Sequence, residues 1–198
     1  MLSGIIDLHV HTAPDVRERC LDDIELAQSA LRRGARAIVL KSHVVPTMDR
    51  AYIAEKVVPG IRVFGGITLN PEVGGLNLAA VENAIKMKAK IVWLPTGYAA
   101  NERKRLGKTD GIEVVVGNRI APPLMEILEL IARHDVILGT GHLAPAETML
   151  VVSKAKELGV RKIVITHPEW STIDMSIEEQ LTLSTYGVFF ERCYARNL

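Results

Sequence analysis

Two histidines stand two residues apart in Ile5-Ile6-Asp7-Leu8-His9-Val10-His11, at the end of an apolar run with strand character. Side chains alternate across a strand, so Asp7, His9 and His11 are expected on one side and Ile6, Leu8 and Val10 on the other. Imidazoles at this spacing can share one cation, whereas an isolated pair also fits two hydrogen-bonded surface histidines. Of the six histidines in the chain, His43, His142 and His167 also fall at or just beyond the C-terminal end of a strand pattern. A divalent metal on neutral imidazoles with one open position lowers the pKa of bound water to about 7, which is hydrolase chemistry. His9, His11, His142 and His167 are therefore the candidate metal ligands; hydrogen bonding or a substrate-facing role is the alternative for each. Asp7, one layer deeper, either orients a ligand imidazole or plugs the interior. His134 meets a strand pattern from the opposite end and is read as structural.

Lys41 and His43, in Val39-Leu40-Lys41-Ser42-His43, share the inward face of the second strand pattern. A lysine after four apolar residues is unusual in an interior, because burying an ammonium is costly unless it is paired or loses its proton. It can polarise substrate, bridge metals as a carbamate or form a Schiff base, and an exposed strand-end lysine is the plain alternative. Trp93, Thr96 and Tyr98, at the fourth strand's end, are candidates to line a substrate pocket, with core packing the favoured role for Trp93.

The elements that must position these residues are short β-branched runs alternating with helical patterns, the mark of a parallel sheet built from βα units. Strands are expected at 5–11, 37–41, 62–67, 90–94, 136–140, 162–166 and 188–191. Ile24, Ala27, Ala30 and Leu31, and Leu124, Ile127, Leu128 and Ile131, repeat at helical spacing and read as core stripes. Asp22 with Glu25 and Ser176 with Glu179 look like helix N-caps, Pro122-Pro123 suits a helix start, and Gly34, Gly60, Gly159 and Gly187 mark reversals before strands. Periodicity alone leaves an open doubly wound sheet and a closed barrel both standing. Five histidines at strand ends favour the barrel, whose rim brings those ends together. One α/β domain over 1–198 is expected: a TIM-like (β/α) barrel, distorted or incomplete, of about seven parallel strands.

The segment from Gly97 to Ala121 breaks the rhythm, as a lid or a small hairpin through Glu113–Val116. Its Gly107-Lys108-Thr109 does not make a phosphate loop, because Glu102 stands where a glycine is needed and no strand leads into it. Arg103, Lys104 and Arg105 read as a solvated face.

Composition narrows the class further. The 198 residues are 48% hydrophobic and 24% charged, enough for a buried core and too apolar for disorder. With 24 basic and 23 acidic side chains there is no field to attract nucleic acid or anionic membrane. Cys20 and Cys193 form no CxxC pair and are expected as free thiols in a reducing compartment. No signal-peptide pattern or membrane span is read, so the expected location is the cytoplasm.

Asp7-Leu8-His9-Val10-His11-Thr12, Gly141-His142-Leu143 and Thr166-His167-Pro168 resemble the amidohydrolase superfamily of metal-dependent barrel hydrolases. Val39-Leu40-Lys41-Ser42-His43, Phe64-Gly65-Gly66-Ile67, Val92-Trp93-Leu94-Pro95-Thr96 and Thr140-Gly141-His142-Leu143 are similar to an uncharacterised amidohydrolase-like group. The resemblance implies a distorted barrel, one or two divalent metals, usually zinc with manganese, iron or nickel as alternatives, and hydrolysis of an amide, ester, lactone or phosphoester in a small molecule. His9 and His11 match the first-strand ligand pair, His142 the fifth-strand ligand and His167 the sixth-strand ligand. Two departures stand out. Strand four offers Trp93, Leu94 and Thr96 where the superfamily places a carbamylated lysine or a glutamate. The aspartate base expected after an eighth strand is missing, since the sequence ends seven residues past Glu191. Glu191 on the seventh strand pattern is the candidate substitute base. The alternatives to a metal hydrolase are a Schiff-base lyase using Lys41 and an impaired barrel that binds metal or a partner. An open sheet edge would favour a homo-oligomer.

Overall fold

A computed structural model describes residues 3–193. Among them the strands are β1 (Ile6–Val10), β2 (Ala37–Leu40), β3 (Arg62–Thr68), β4 (Ile91–Trp93), β5 (Val115–Val116), β6 (Arg119–Ile120), β7 (Ile137–Gly139), β8 (Ile163–Ile165) and β9 (Phe189–Phe190). The helices are α1 (Asp23–Arg32), α2 (Met48–Val57), α3 (Leu78–Lys86), α4 (Ala100–Arg105), α5 (Pro122–His134), α6 (Pro145–Glu157) and α7 (Ile177–Ser184). All strands except β5 and β6 join one seven-stranded sheet in the order β1-β2-β3-β4-β7-β8-β9, and every pairing in it is parallel. Each expected strand lies in this sheet.

Parallel strands wrapped by helices are buried on both faces, which is why β2 reads Ala-Ile-Val-Leu with all four residues buried. On the helix side, Leu124, Ile127, Leu128 and Ile131 of α5 pack with Val92, Leu138 and Ile163 of the sheet. Full burial of such side chains stabilises by about 1.5–3 kcal/mol each. Pro122 and Pro123 start α5, and Asp22 with Glu25 and Ser176 with Glu179 form capping boxes at α1 and α7. Gly34, Gly60, Gly159 and Gly187 all take positive φ where a helix must reverse into a strand.

The sheet curls into a TIM-like α/β barrel that is distorted and open at one seam. Its edge strands β1 and β9 share no ladder among the described residues, yet His9 Nδ1 lies 2.6 Å from Glu191 Oε1 across the gap. Inside the curl Val39, Ile91 and Trp93 form a small apolar cluster with Leu8, Phe64 and Ile137. Leu8 therefore departs from the alternation expected with Val10, which packs on the helix side with Ile38 and Leu40. The cause is a register shift in β1 between Asp7 and Val10, where Asp7 Oδ1 accepts the His9 N–H at 3.0 Å.

The irregular segment after β4 supplies the short helix α4 and the antiparallel β5–β6 hairpin. Asn101 Nδ2 on α4 donates to the His142 and Thr172 carbonyls, and Arg105 donates to Ser171 O, so α4 is tied to the loops after β7 and β8. Arg103 forks onto Asp110. Two of the three expected solvated cations are thus engaged by the protein, while Lys104 is exposed. No helix among the described residues is long and apolar enough to cross a membrane.

Candidate metal centre

Five of the six histidines meet at the C-terminal rim of the sheet. Their rings form a closed circuit, with centroid separations of 4.7 Å for His43–His11, 5.0 Å for His11–His9, 5.7 Å for His9–His167, 4.9 Å for His167–His142 and 6.3 Å for His142–His43. His9 sits on β1 with His11 just beyond it; His43, His142 and His167 follow β2, β7 and β8. His134 is the last residue of α5 and lies by a small cavity with Lys88, Lys90 and Lys162, away from this rim.

Ring orientation separates the roles. His9 Nε2 and His11 Nε2 face each other at 3.1 Å. Two nitrogens on one zinc ion at about 2.0–2.1 Å in tetrahedral geometry stand roughly 3.3 Å apart, so this pair has the bite of a chelate. His9 Nδ1 is engaged by Glu191, and His142 Nδ1 is hydrogen-bonded to Glu102 Oε2. A carboxylate on the far ring nitrogen fixes the tautomer and aims the other nitrogen at a cation. The Nδ1 atoms of His11 and His167 are buried without a partner, as is Glu191 Oε2. The facing Nε2 atoms of His9 and His11, with carboxylates on the far ring nitrogens of His9 and His142, fit a divalent metal.

His167 holds an unusual backbone, with φ of 24°. That conformation costs a non-glycine residue about 1–3 kcal/mol, and the neighbours must over-determine it. Trp170 does so by stacking on the imidazole at 4.2 Å. The segment after His11 is held by Arg50 on α2, which pairs with Asp23 and donates to the Thr12, Ala13 and Pro14 carbonyls. Asp7 hydrogen-bonds the His9 backbone N–H, where the bend in β1 turns it, and burial raises its carboxyl pKa.

Desolvation governs the electrostatics. Burial, reinforced by neighbouring cations, lowers His11 and His43 to about 2 and His167 to about 3, and drives His9 well below its ordinary value. His142 is lowered by burial despite the opposing pull of Glu102. Lys41 is 2% exposed, its Nζ has no hydrogen-bond partner, and it lies 4.9 Å over the Trp93 ring. Burial lowers it to about 8, while Glu191 acts in the opposite sense. The exposed strand-end alternative for this lysine is thereby excluded.

The histidine circuit opens into a cavity of about 960 Å³ lined by Arg19, Tyr98, Trp170 and Phe190 among others. Trp93 is core, as expected, and Thr96 is buried behind His43, so of the three residues placed at the fourth strand's end only Tyr98 lines the cavity. Two functional candidates escaped the sequence reading. Glu102 looked merely like an obstacle to a phosphate loop, and Cys193 like an idle thiol. The Cys193 thiol donates to Glu191 Oε1 at 3.0 Å, and its Sγ, a Glu191 oxygen and a His9 ring nitrogen lie within 4.8 Å of one another, a second potential donor set. Burial pushes that thiol up to about 12, so it is a protonated partner of Glu191. Cys20 is a free, exposed thiol.

Fold and site define the class: an open TIM-like barrel with a histidine-rich centre at the C-terminal rim of its sheet. The chain belongs to DUF6282, a family of unknown function, which matches residues 4–191. No curated protein matches it. Among solved structures it is similar to histidinol phosphate phosphatase from Lactococcus lactis subsp. lactis Il1403, crystallised with zinc, L-histidinol and phosphate. That similarity spans 93% of this chain and 94% of that one at 14% identity, with a TM-score of 0.35.

Proposed function

We propose that the protein is a metal-dependent hydrolase of the amidohydrolase type acting on a small molecule. The observation that carries this reading is the 3.1 Å approach of His9 Nε2 and His11 Nε2 with Glu191 already on His9 Nδ1. His9, His11, His142 and His167 would hold the ion. Zinc suits a set of neutral imidazoles, with manganese, iron or nickel as alternatives. A divalent ion there supplies Lewis-acid activation of water and of the scissile group.

The chain's own residues do the rest. Glu191 accepts the His9 Nδ1–H on Oε1 and keeps Oε2 free to take a proton from water. Glu102 holds His142 in the same manner through Oε2. Lys41, beneath the ring circuit, balances the Glu191 charge from below, and His43 faces the substrate. Burial of the imidazoles and of Lys41 strengthens each of these interactions.

Metal analysis of protein purified without chelator tests the reading. Bound divalent metal is expected, lost in His9→Ala and His11→Ala, together with metal-restored hydrolysis of at least one chromogenic amide, ester, lactone or phosphoester. Metal-free protein that stays inert with added zinc and manganese across that panel sinks it. The Schiff-base alternative requires a carbonyl carbon to reach Lys41 Nζ, which lies below the cavity and is not among its lining residues. An impaired, metal-binding barrel would bind the ion and fail the hydrolysis panel.

A further inference from the structure

His43 is the member of the ring circuit whose tautomer is set by a hydroxyl and an amide, where His9 and His142 have carboxylates. Its Nδ1 lies 2.8 Å from Thr96 Oγ1. Thr96 has no exposed surface, and the same hydroxyl oxygen is approached by Asn70 Nδ2 at 2.8 Å. The amide of Asn70 can point only one way. Thr96 N–H donates to Asn70 Oδ1 at 2.9 Å, so Nδ2 is the donor toward Thr96 Oγ1 and also toward the His43 carbonyl at 2.9 Å.

With Asn70 donating into the Thr96 oxygen, the hydroxyl has one hydrogen of its own to place, and His43 Nδ1 is the acceptor within reach. In the opposite arrangement an Nδ1–H would donate into Thr96 Oγ1 alongside Asn70. The hydroxyl hydrogen would then sit in a buried site without any described acceptor, which proteins avoid. The two arrangements are therefore unequal.

We infer that Thr96, itself held by Asn70, fixes His43 as its Nε2–H tautomer, so that His43 meets the cavity as a hydrogen-bond donor and not as a metal ligand. Thr96 and Asn70 are positioning residues: Thr96 does not line the cavity, Asn70 borders it with both side-chain polar atoms already engaged by His43 and Thr96, and each acts through His43. A fixed N–H beside His11, whose ring stacks on His43 at 4.7 Å, suits a substrate oxygen that gains negative charge as its bond breaks. What the donor acts upon rests on the hydrolase reading; the tautomer does not.

The test uses the full-length, metal-free protein labelled with ¹⁵N-histidine and long-range ¹H–¹⁵N correlation at pH 7.5. The His43 signals are identified by their loss in His43→Gln, or by through-space contact with the Thr96 methyl group. At least about a fivefold excess of the Nε2–H form is expected, the ratio set by the smaller cost of a buried unmet hydroxyl. Thr96→Val removes the hydroxyl and should bring the Nδ1–H form into view, while Thr96→Ser should restore the wild-type pattern. A wild-type His43 protonated at Nδ1, or a Thr96→Val spectrum identical to wild type, overturns the inference. Equilibrium dialysis against zinc gives the second arm. His43→Gln should bind as much zinc as wild type, and a lost equivalent would make His43 a ligand and refute the inference. If wild type binds no zinc, the hydrolase reading fails while the tautomer measurement still decides this one.

Discussion

The buried lysine and the seam glutamate are the residues whose substitution separates stability from function. Lys41 is held with no hydrogen-bond partner over Trp93, and its fall from 10.5 to about 8 means that the folded state binds this proton less well than the unfolded chain. Below about pH 8 the ammonium is therefore a burden on folding. A shift of this size corresponds to about 3 kcal/mol at neutral pH. Lys41→Met, apolar and of similar length, is expected to raise stability by about 2–3 kcal/mol in urea unfolding and to abolish hydrolysis; a destabilised variant would mean that Lys41 is well paired. Glu191 poses the opposite question, whether it merely orients His9 or also takes a proton. Glu191→Gln keeps an oxygen able to accept from His9 Nδ1–H but removes the base. It should keep its metal while hydrolysis falls by about 10²–10⁴-fold. Metal analysis and turnover on the same preparation check this, and loss of metal would give Glu191 an orienting role alone.

At the scale of elements, close approaches decide which substitutions the sheet tolerates. A Cβ on Gly139 of β7 would run into the Trp93 indole of the neighbouring strand β4, and the same Trp93 underlies Lys41 and faces His9 at 6.2 Å. Gly139→Ala is therefore expected to cost about 1–3 kcal/mol by overpacking and to shift Trp93 fluorescence, with metal affinity reduced through the displaced floor of the site. Unchanged stability and fluorescence would refute this packing account. The strands were legible because parallel strands buried on both faces leave continuous apolar runs such as Ala37–Leu40, and the helices because α5 repeats its apolar residues at 3.6 spacing. The histidines were legible because a rigid strand end fixes direction. Glu102 was not. It lies on a six-residue helix inside a segment without periodicity, and only tertiary packing carries it to His142. Cys193 was hidden for a similar reason, because the sequence does not say that β9 curls back to within reach of β1. Leu8 was misplaced because alternation assumes a regular strand, and β1 is not regular.

The whole molecule closes around its least soluble charges, and acid should open it. Five imidazoles form the circuit that joins the first, second, fifth and sixth sheet strands, and one of them, His9, spans the seam to Glu191 beyond the seventh. Burial holds His11 and His43 at about 2 and His167 at about 3, against 6.5 in the unfolded chain. Depressed folded values fix the sign. Well above 6.5 neither state binds these protons and nothing is lost; as pH falls through 6.5 the unfolded chain takes them up first, so stability falls with pH, down toward 3 and 2. Each such histidine loses at most about 1.4 kcal/mol per pH unit well below 6.5, and about 1 kcal/mol over the first unit. His11, His43 and His167 together should thus remove about 3 kcal/mol from the metal-free protein between pH 6.5 and 5.5, a large part of the 5–15 kcal/mol on which a domain of this kind rests. The expected result is a urea midpoint that falls only slightly from pH 7.5 to 6.5 and steeply by pH 5.5, with the slope reduced by about a fifth to a quarter in His43→Gln, because the lowered His9 and His142 contribute as well. A midpoint insensitive to pH over that range would mean that these imidazoles are solvated, and that the closed circuit at the rim does not hold the barrel's seven strands together.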